Sequence, residues 1–134
     1  MLKKEIFKAY DIRGLYPEDI NEESLLSITK ALISLWNQGA IVIAHDGRHG
    51  SYELALYAKR VLEEEEASCK KFEVVFVGLA TTPMFYFLVN HFDAMGGMMI
   101  TASHNPKEYN GVKAVGPKAV PFSGKDVLAV IEKK

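Results

Sequence analysis

The chain has 134 residues, of which 49% are hydrophobic and 25% are charged, and its formal net charge is −1. This is the composition of a soluble globular domain that is long enough to bury a core. The near-zero charge excludes a strong electrostatic attraction to nucleic acid or to an anionic membrane. The single cysteine, Cys69, excludes an intrachain disulfide, and no stretch reaches the roughly 20 apolar residues that span a bilayer. We therefore expect a soluble protein of the cytoplasm.

The first half of the chain predicts two strands that alternate with two helices. Residues 6–10 have the mixed pattern of a short strand, residues 11–14 read as a turn, and residues 15–20 read as a loop. Asn21 is suited to cap a helix that ends near Gly39, and its apolar face holds Leu25, Ile28, Leu32, Leu35 and Trp36. Residues 41–44 predict a strand that is buried on both faces. Ser51 is suited to cap the next helix, whose inward residues are Leu54, Ala58, Val61 and Leu62.

The second half continues the same alternation. The acidic residues 63–66 predict a frayed helix end, and residues 72–77 predict a third strand. Thr82 as the cap and Pro83 as the first helical residue predict a third helix. Its predicted apolar face comprises Met84, Phe87, Leu88 and His91. Residues 98–100 and 112–115 predict two more strands, and Ser123 with Asp126 predicts a capped last helix over residues 127–131. The alternation indicates an α/β protein with three αβα layers around a mainly parallel, mixed sheet.

The stretch that carries the chemistry is GGMMITASHNPKEYNGVK, residues 96–113. A short apolar strand ends abruptly in hydroxyl, imidazole and amide side chains, at the strand end where open α/β sheets bind their ligands. Pro106 keeps the segment out of a helix. We interpret this segment as an irregular loop that presents Ser103 as a nucleophile.

Cations that suit a phosphate accompany this serine, namely Arg13, Arg48, Lys113 and Lys118. For Lys118 a solvated surface charge is the simpler interpretation. A serine hydrolase is disfavoured because the G-x-S-x-G elbow is absent. The glycine-rich nucleotide motifs and a D-x-D cluster for magnesium are absent as well. These residues leave Ser103 as a candidate nucleophile beside cations that would suit a phosphate.

Four motifs resemble those of the α-D-phosphohexomutases. TASHNP (residues 101–106), followed by YNG (109–111) and Lys113, resembles that family's phosphoserine signature, and FKAYDIRG (7–14) resembles its opening motif. DGR (46–48) and residues 78–83 resemble the two intermediate motifs. The first and last motifs together favour the phosphomannomutase/phosphoglucomutase branch.

The resemblance implies an enzyme that interconverts hexose 6-phosphate and hexose 1-phosphate through a phosphoserine and a bisphosphorylated sugar. Ser103 would be the phosphoserine, and its phosphate would also ligate Mg²⁺, with hexose 1,6-bisphosphate as activator. Arg13 and Lys113 would be the cations, and His104 would transfer a proton or contact the substrate. Tyr10 and Asn105 would contact the phosphohexose.

Family members have four domains, and the resemblance covers only the first, over residues 1–134. We therefore expect an N-terminal domain that does not catalyse the reaction alone, because the acidic metal loop and the sugar-selecting loop are missing. His45 lies where an arginine is common, which argues against a phosphate role there. Two alternatives stay open: a non-catalytic binding module that retains the loop, and an unrelated small phosphatase or esterase. The pattern does not decide between mannose and glucose, or the oligomeric state.

Overall fold

The protein is described by a computed structural model, which covers residues 2–64 and 69–133. The helices are α1 (Glu22–Leu35), α2 (Ser51–Glu63), α3 (Thr82–His91) and α4 (Gly124–Glu132). The strands are β1 (Ile12–Leu15), β2 (Gly39–His45), β3 (Phe72–Leu79), β4 (Gly96–Ile100), β5 (Tyr109–Val115) and β6 (Pro121–Phe122). Within the described ranges, no helix is long and apolar enough to cross a membrane.

The strands form one mixed sheet in the order β1-β5-β4-β2-β3, and β6 also pairs with β5. β2 is parallel to β3 and to β4, whereas β5 is antiparallel to β1, β4 and β6. Five of the six described strands therefore run in one direction, and β5 alone runs against them. This arrangement brings the loops that follow β2, β3 and β4 to the same edge of the sheet.

Helices cover both faces of the sheet, as the predicted αβα layers require. On one face α1, α2 and α4 build the larger core, which includes Ile28, Leu54, Val127, Ile43 and Ile100. On the other face α3 builds a smaller core, which includes Phe85, Val89, Val42, Met99 and Val115. β4 is buried along its whole length between these layers.

Local sequence signals are confirmed at the helix ends with side-chain caps. Asn21 Oδ1 accepts a hydrogen bond from the Ser24 amide, and Ser24 Oγ accepts one from the Asn21 amide, which makes a reciprocal cap for α1. Ser123 and Asp126 do the same at α4. α2 and α3 each begin one residue before the prediction. Ser51 is the first helical residue of α2 rather than its cap, and the cap of α3 is Thr81, not Thr82.

The C-terminus of α1 lies four residues before the predicted stop at Gly39, which begins β2 instead. The Lys70 ammonium donates hydrogen bonds to the carbonyls of Ile33, Ser34 and Trp36. A cation at this position satisfies carbonyls that a helix end leaves free. The predicted fraying of α2 falls partly on residues 65 and 66, which lie outside the described ranges.

The predicted strand over residues 6–10 is wrong, and so is the turn over residues 11–14. A 3-10 turn covers Lys4–Ile6, and the strand is β1, which pairs with β5. Gly14 resembles a turn residue, but its place in β1 has a packing cause. A Cβ on Gly14 would lie 2.9 Å from the Asp19 Cβ atom, so this strand position has no space for a side chain.

The predicted inner face of α3 is wrong except at Leu88, which packs against the smaller core. Phe85 and Val89 are buried, whereas Met84 is 49% exposed and Phe87 is 64% exposed. His91 is exposed and stacks on the Phe87 ring with centroids 5.6 Å apart, so it is not a packed core histidine. Apolar side chains occur all round this helix, so the sequence did not reveal which side faces the sheet.

An ion pair joins the N-terminal segment to the loop before α1. We expect it to make the free energy of unfolding depend on pH in the acidic range. The Lys3 ammonium lies 2.9 Å from Asp19 Oδ1, and the Leu15 amide donates to Asp19 Oδ2. The hydrogen bond from Lys3 holds the pKa of Asp19 below its usual 3.8, although burial opposes it. A carboxyl whose folded pKa is depressed stabilises the fold above its unfolded pKa, and this contribution disappears as the pH falls through the folded value.

We expect the Asp19→Asn variant to lose this part of the pH dependence. Urea midpoints of the variant and of the parent protein should differ at about pH 7 and converge as the pH falls through the folded pKa of Asp19, because its charge is then lost. A constant difference across the whole range would mean that Asp19 acts through packing and not through its charge.

Candidate phosphoryl-transfer site

The main cleft has a volume of about 890 Å³ and lies on the α3 side of the sheet. Met99 lines the cleft and packs in the smaller core, which α3 covers. Lys113 on β5 lies directly opposite Met99 on β4, so both side chains are on this face of the sheet. The first residues of α3 form one wall, and the loop before β1 forms another. Ile12 is level with the end of β4, because both Ile12 and Ile100 pair with Val112. This register brings the loop before β1 to the predicted functional edge.

Ser103 lies in the loop after β4 and lines the cleft. Its φ angle is 55°, a left-handed conformation that is rare for a residue with a Cβ atom. Its amide donates to Thr101 Oγ1 at 3.0 Å. Its own hydroxyl has no hydrogen-bond partner among the described residues. The structure therefore presents an uncommitted hydroxyl to the cleft from a constrained backbone.

Arg13 and Lys113 both line the cleft, and the carboxylate of Asp11 lies between them. Asp11 Oδ2 is 3.7 Å from Lys113 Nζ, and Asp11 Oδ1 is 3.9 Å from Arg13 Nε. Asp11 is only 5% exposed. Burial raises the pKa of Tyr86 on α3, and the negative charge of Asp11 raises it further. One carboxylate thus faces two cations and leaves one positive charge uncompensated in this part of the cleft.

Asp46, at the end of β2, joins three elements. Its carboxylate accepts hydrogen bonds from Thr101 Oγ1 at 2.7 Å and from Ser51 Oγ at 2.6 Å. It also accepts the Arg48 amide at 3.0 Å. The loops after β2 and β4 and the start of α2 are therefore linked through a single side chain.

Arg48 binds the loop after β4 and does not line the cleft. Its guanidinium donates to the backbone carbonyls of Ser103, Asn105, Pro106 and Tyr109, at distances between 2.6 and 3.2 Å. The expectation that Arg48 suits a phosphate is therefore wrong, because its donors are used by the protein itself. Lys118 also lies away from the cleft, in a 3-10 turn before β6.

A family model described as phosphoglucomutase/phosphomannomutase, alpha/beta/alpha domain I, matches residues 4–134. The chain belongs to this family. It is 42% identical over 93% of its length to a protein from Xanthomonas campestris named phosphohexose mutases, of which it spans 27%. It is 38% identical to a phosphomannomutase from Escherichia coli, of which it spans 28%. For a phosphomannomutase from Klebsiella pneumoniae the identity is 37%, and the chain spans 82% of that protein.

A solved structure shows the same fold. The crystal structure of a phosphoglucomutase/phosphomannomutase family protein from Burkholderia thailandensis superposes with a TM-score of 0.82 and 28% identity. The match covers 99% of this chain and 30% of that protein. The αβα fold predicted from the sequence is confirmed, and the chain spans less than a third of this structure and of the Xanthomonas and Escherichia relatives.

Five of the six site residues that the family resemblance indicates line the same cleft, namely Tyr10, Arg13, Ser103, His104 and Lys113. Tyr10 is 83% exposed, and His104 is exposed. Asn105 is the exception, because its side-chain amide donates to the Ala102 carbonyl at 2.8 Å and it does not line the cleft. His45 is buried on the opposite face, where its ring contacts Tyr52.

The family resemblance implies Mg²⁺, but the described residues do not form a complete site for it. Within the described residues, 2–64 and 69–133, no group of three or more His, Cys, Asp or Glu side chains could hold a metal ion. The cleft carboxylates are committed, Asp11 to two cations and Asp46 to hydroxyl and amide donors.

Sequence reasoning missed Asp11, Asp46 and Thr101 as members of the site. All three lie inside the motifs that carry the family resemblance, but nothing local indicates their partners. Thr101 and Asp46 are 55 residues apart. Their partnership depends on the parallel pairing of β2 with β4, which places His45 opposite Ile100.

Proposed function

We propose that this chain is the N-terminal catalytic domain of a phosphomannomutase/phosphoglucomutase, and that Ser103 carries the phosphoryl group. The whole enzyme would interconvert hexose 6-phosphate and hexose 1-phosphate through a bisphosphorylated sugar. The observation that carries the proposal is the uncommitted Ser103 hydroxyl in a cleft that Arg13 and Lys113 also line.

In the proposed step, a hydroxyl oxygen of the sugar phosphate attacks the phosphorus of phosphorylated Ser103. The new phosphorus–oxygen bond forms as the bond to Ser103 Oγ breaks, and the hydroxyl proton ends on Ser103 Oγ. The bisphosphorylated sugar then reverses its orientation in the site and returns its other phosphoryl group to the same oxygen. Such transfers depend on positioning and charge neutralisation more than on a strong base.

Arg13 and Lys113 would neutralise the charge that spreads over the phosphoryl oxygens. Arg13 offers a planar fork and Lys113 a compact charge, and both point to the cleft from neighbouring strands. Asp11 would keep the two cations in place when no phosphate is bound. His104 would carry the proton or contact the sugar, and Tyr10 would contact the substrate at the mouth of the cleft.

The further parts of the proposal concern groups beyond these residues. Phosphorylated Ser103 would supply one oxygen ligand to Mg²⁺, which stabilises phosphoryl charge when bound, and the other ligands would come from further domains. Hexose 1,6-bisphosphate would load the serine. Asn105 would shape the loop rather than bind the phosphohexose, because its amide is committed to Ala102. We place the enzyme in the cytoplasm and expect no turnover from the isolated 134 residues.

The test is mutase turnover by the full-length protein, with Mg²⁺ and glucose 1,6-bisphosphate present, on mannose 1-phosphate and on glucose 1-phosphate. We expect Lys113→Met to lower turnover by about 10²- to 10³-fold, because one preorganised charge on the transition state is lost. Lys59→Met is the matched control, since Lys59 pairs with Glu63 on the exposed side of α2.

Two results would contradict the proposal. Equal turnover in Lys113→Met and Lys59→Met would show that Lys113 does not take part in the reaction. Release of inorganic phosphate from a generic ester by the isolated chain, without metal or further domains, would instead indicate a small phosphatase.

A further inference from the structure

We propose that Arg48 and Asp46 form a clamp that holds Ser103 in its left-handed conformation, and that Arg48 is thereby a positioning residue for phosphoryl transfer. The clamp acts on the backbone on both sides of Ser103. Part of its test rests on the proposed function, and the other part is independent of it.

The first arm of the clamp fixes the amide side of Ser103. The Ser103 amide donates to Thr101 Oγ1, and the Thr101 hydroxyl proton is in turn donated to Asp46 Oδ2 at 2.7 Å. The second arm fixes the carbonyl side, because the Ser103 carbonyl accepts from Arg48 Nη2 at 2.6 Å. The arms join where Arg48 Nε lies 3.3 Å from the same Asp46 Oδ2 atom.

The loop needs such a clamp for two physical reasons. A left-handed φ of 55° is disfavoured for a residue with a Cβ atom, so it persists only where the surroundings impose it. In addition, four carbonyl dipoles converge on one point, which is unfavourable unless a cation lies there. The Arg48 guanidinium supplies that cation and explains why the loop can curl around it.

The donor count excludes Arg48 as a phosphate ligand in this conformation. A guanidinium has five N–H donors. Here Nη1 and Nη2 serve four carbonyls, and Nε faces Asp46. The side chain is 15% exposed, and its remaining N–H donor, on Nε, faces a carboxylate that would repel a phosphate. Arg13, which is 38% exposed and lines the cleft, keeps that role.

The first test does not depend on catalysis. It is a double-mutant cycle of Ser103→Gly with Arg48→Ala, read as hydrogen-exchange protection of the Asn105 and Tyr109 amides, which both bond inside the loop. With Arg48 present, Ser103→Gly should raise protection by about fivefold or more, because glycine removes the cost of the left-handed φ. With Arg48→Ala the same change should have no effect, because the loop has already relaxed. Ser103→Ala, which keeps the Cβ atom, should give no gain in either background.

The second test measures the rate at which full-length protein accepts a phosphoryl group from glucose 1,6-bisphosphate. We expect Arg48→Ala to lower the maximal rate by about 10²-fold, with the half-saturating concentration of donor unchanged because Arg13 and Lys113 are intact. Millimolar guanidinium chloride should restore part of the rate, and an equal concentration of sodium chloride should not. Arg48→Lys should stay slow, because one ammonium cannot bind four carbonyls in this geometry.

The control is Arg60→Ala, whose guanidinium lies over the Tyr57 ring on α2, and its rate should be that of the parent protein. Additive effects in the hydrogen-exchange cycle would overturn the clamp whatever the enzyme does. So would full phosphoryl acceptance by Arg48→Ala. If the parent protein accepts no phosphoryl group, the proposed function fails, while the cycle still decides whether Arg48 holds Ser103.

Discussion

Replacing Ser103 with alanine is expected to abolish phosphoryl acceptance and to lower mutase turnover of the full-length protein by about 10⁴-fold or more, as loss of a covalent nucleophile does elsewhere. The reason is that the threonine hydroxyls lining the cleft face other groups. The Thr101 hydroxyl is committed to Asp46 and to the Ser103 amide, Thr81 Oγ1 caps α3, and Thr82 Oγ1 faces the Met99 sulfur at 3.7 Å. The measurement is the coupled assay for glucose 6-phosphate formed from glucose 1-phosphate.

Ser34→Ala is the matched control for this variant. Ser34 is exposed on α1, and its hydroxyl donates weakly to the Lys30 carbonyl in the preceding turn. Its removal should leave turnover unchanged. Activity that persists in Ser103→Ala while the protein is shown to be folded would refute a phosphoserine mechanism at this position.

Gly111→Ala is expected to destabilise the fold by about 3 kcal/mol or more, because the neighbouring strand β1 leaves no space for a methyl group. A Cβ on Gly111 would lie 2.0 Å from the Ile12 carbonyl oxygen and 2.9 Å from the Arg13 Cα atom. Both obstacles are backbone, so no side-chain rotation relieves the clash. Separation of β1 from β5 would also displace Arg13 from Lys113. Urea denaturation followed by circular dichroism measures the loss.

Gly47→Ala provides the comparison for this substitution. The nearest atom to its new Cβ would be Leu79 Cδ1, at 4.0 Å. We expect a change within about 0.5 kcal/mol, as for an ordinary surface substitution. If Gly111→Ala is as stable as Gly47→Ala, the pairing of β1 with β5 cannot be as described.

The parts of the fold that the sequence predicts well are those encoded locally. The reciprocal caps at Asn21 and Ser123 depend on residues three positions apart, so a short window contains the whole interaction. β2 and β4 are short apolar runs that are buried on both faces, a pattern that stays visible without tertiary information. The αβα class follows from the alternation of these elements.

The errors arise where tertiary contacts decide. Gly14 resembles a turn residue, but β1 needs it there because the Asp19 side chain occupies the space. α3 is apolar on several sides, and only its position over the smaller core selects Phe85 and Val89 as the buried pair. Neither fact can be read from local periodicity.

The site shows the same division. The sequence identifies the loop with Ser103 and the flanking cations, because an unusual density of polar residues follows a buried strand. It misassigns Arg48, whose carbonyl partners lie 55 to 61 residues further along the chain. A cation beside a serine suggests a phosphate ligand, whereas the fold uses this one to shape the loop that presents the serine.

The most direct test of the central claim is the chemical state of Ser103 in full-length protein that has been incubated with glucose 1,6-bisphosphate. Intact mass should show one added phosphoryl group, and peptide mapping should place it on the peptide that contains Ser103. The group should disappear when excess glucose 1-phosphate is added, because the sugar accepts it. A protein that interconverts hexose phosphates while Ser103 stays unmodified, or that carries its phosphoryl group on another residue, would contradict the account.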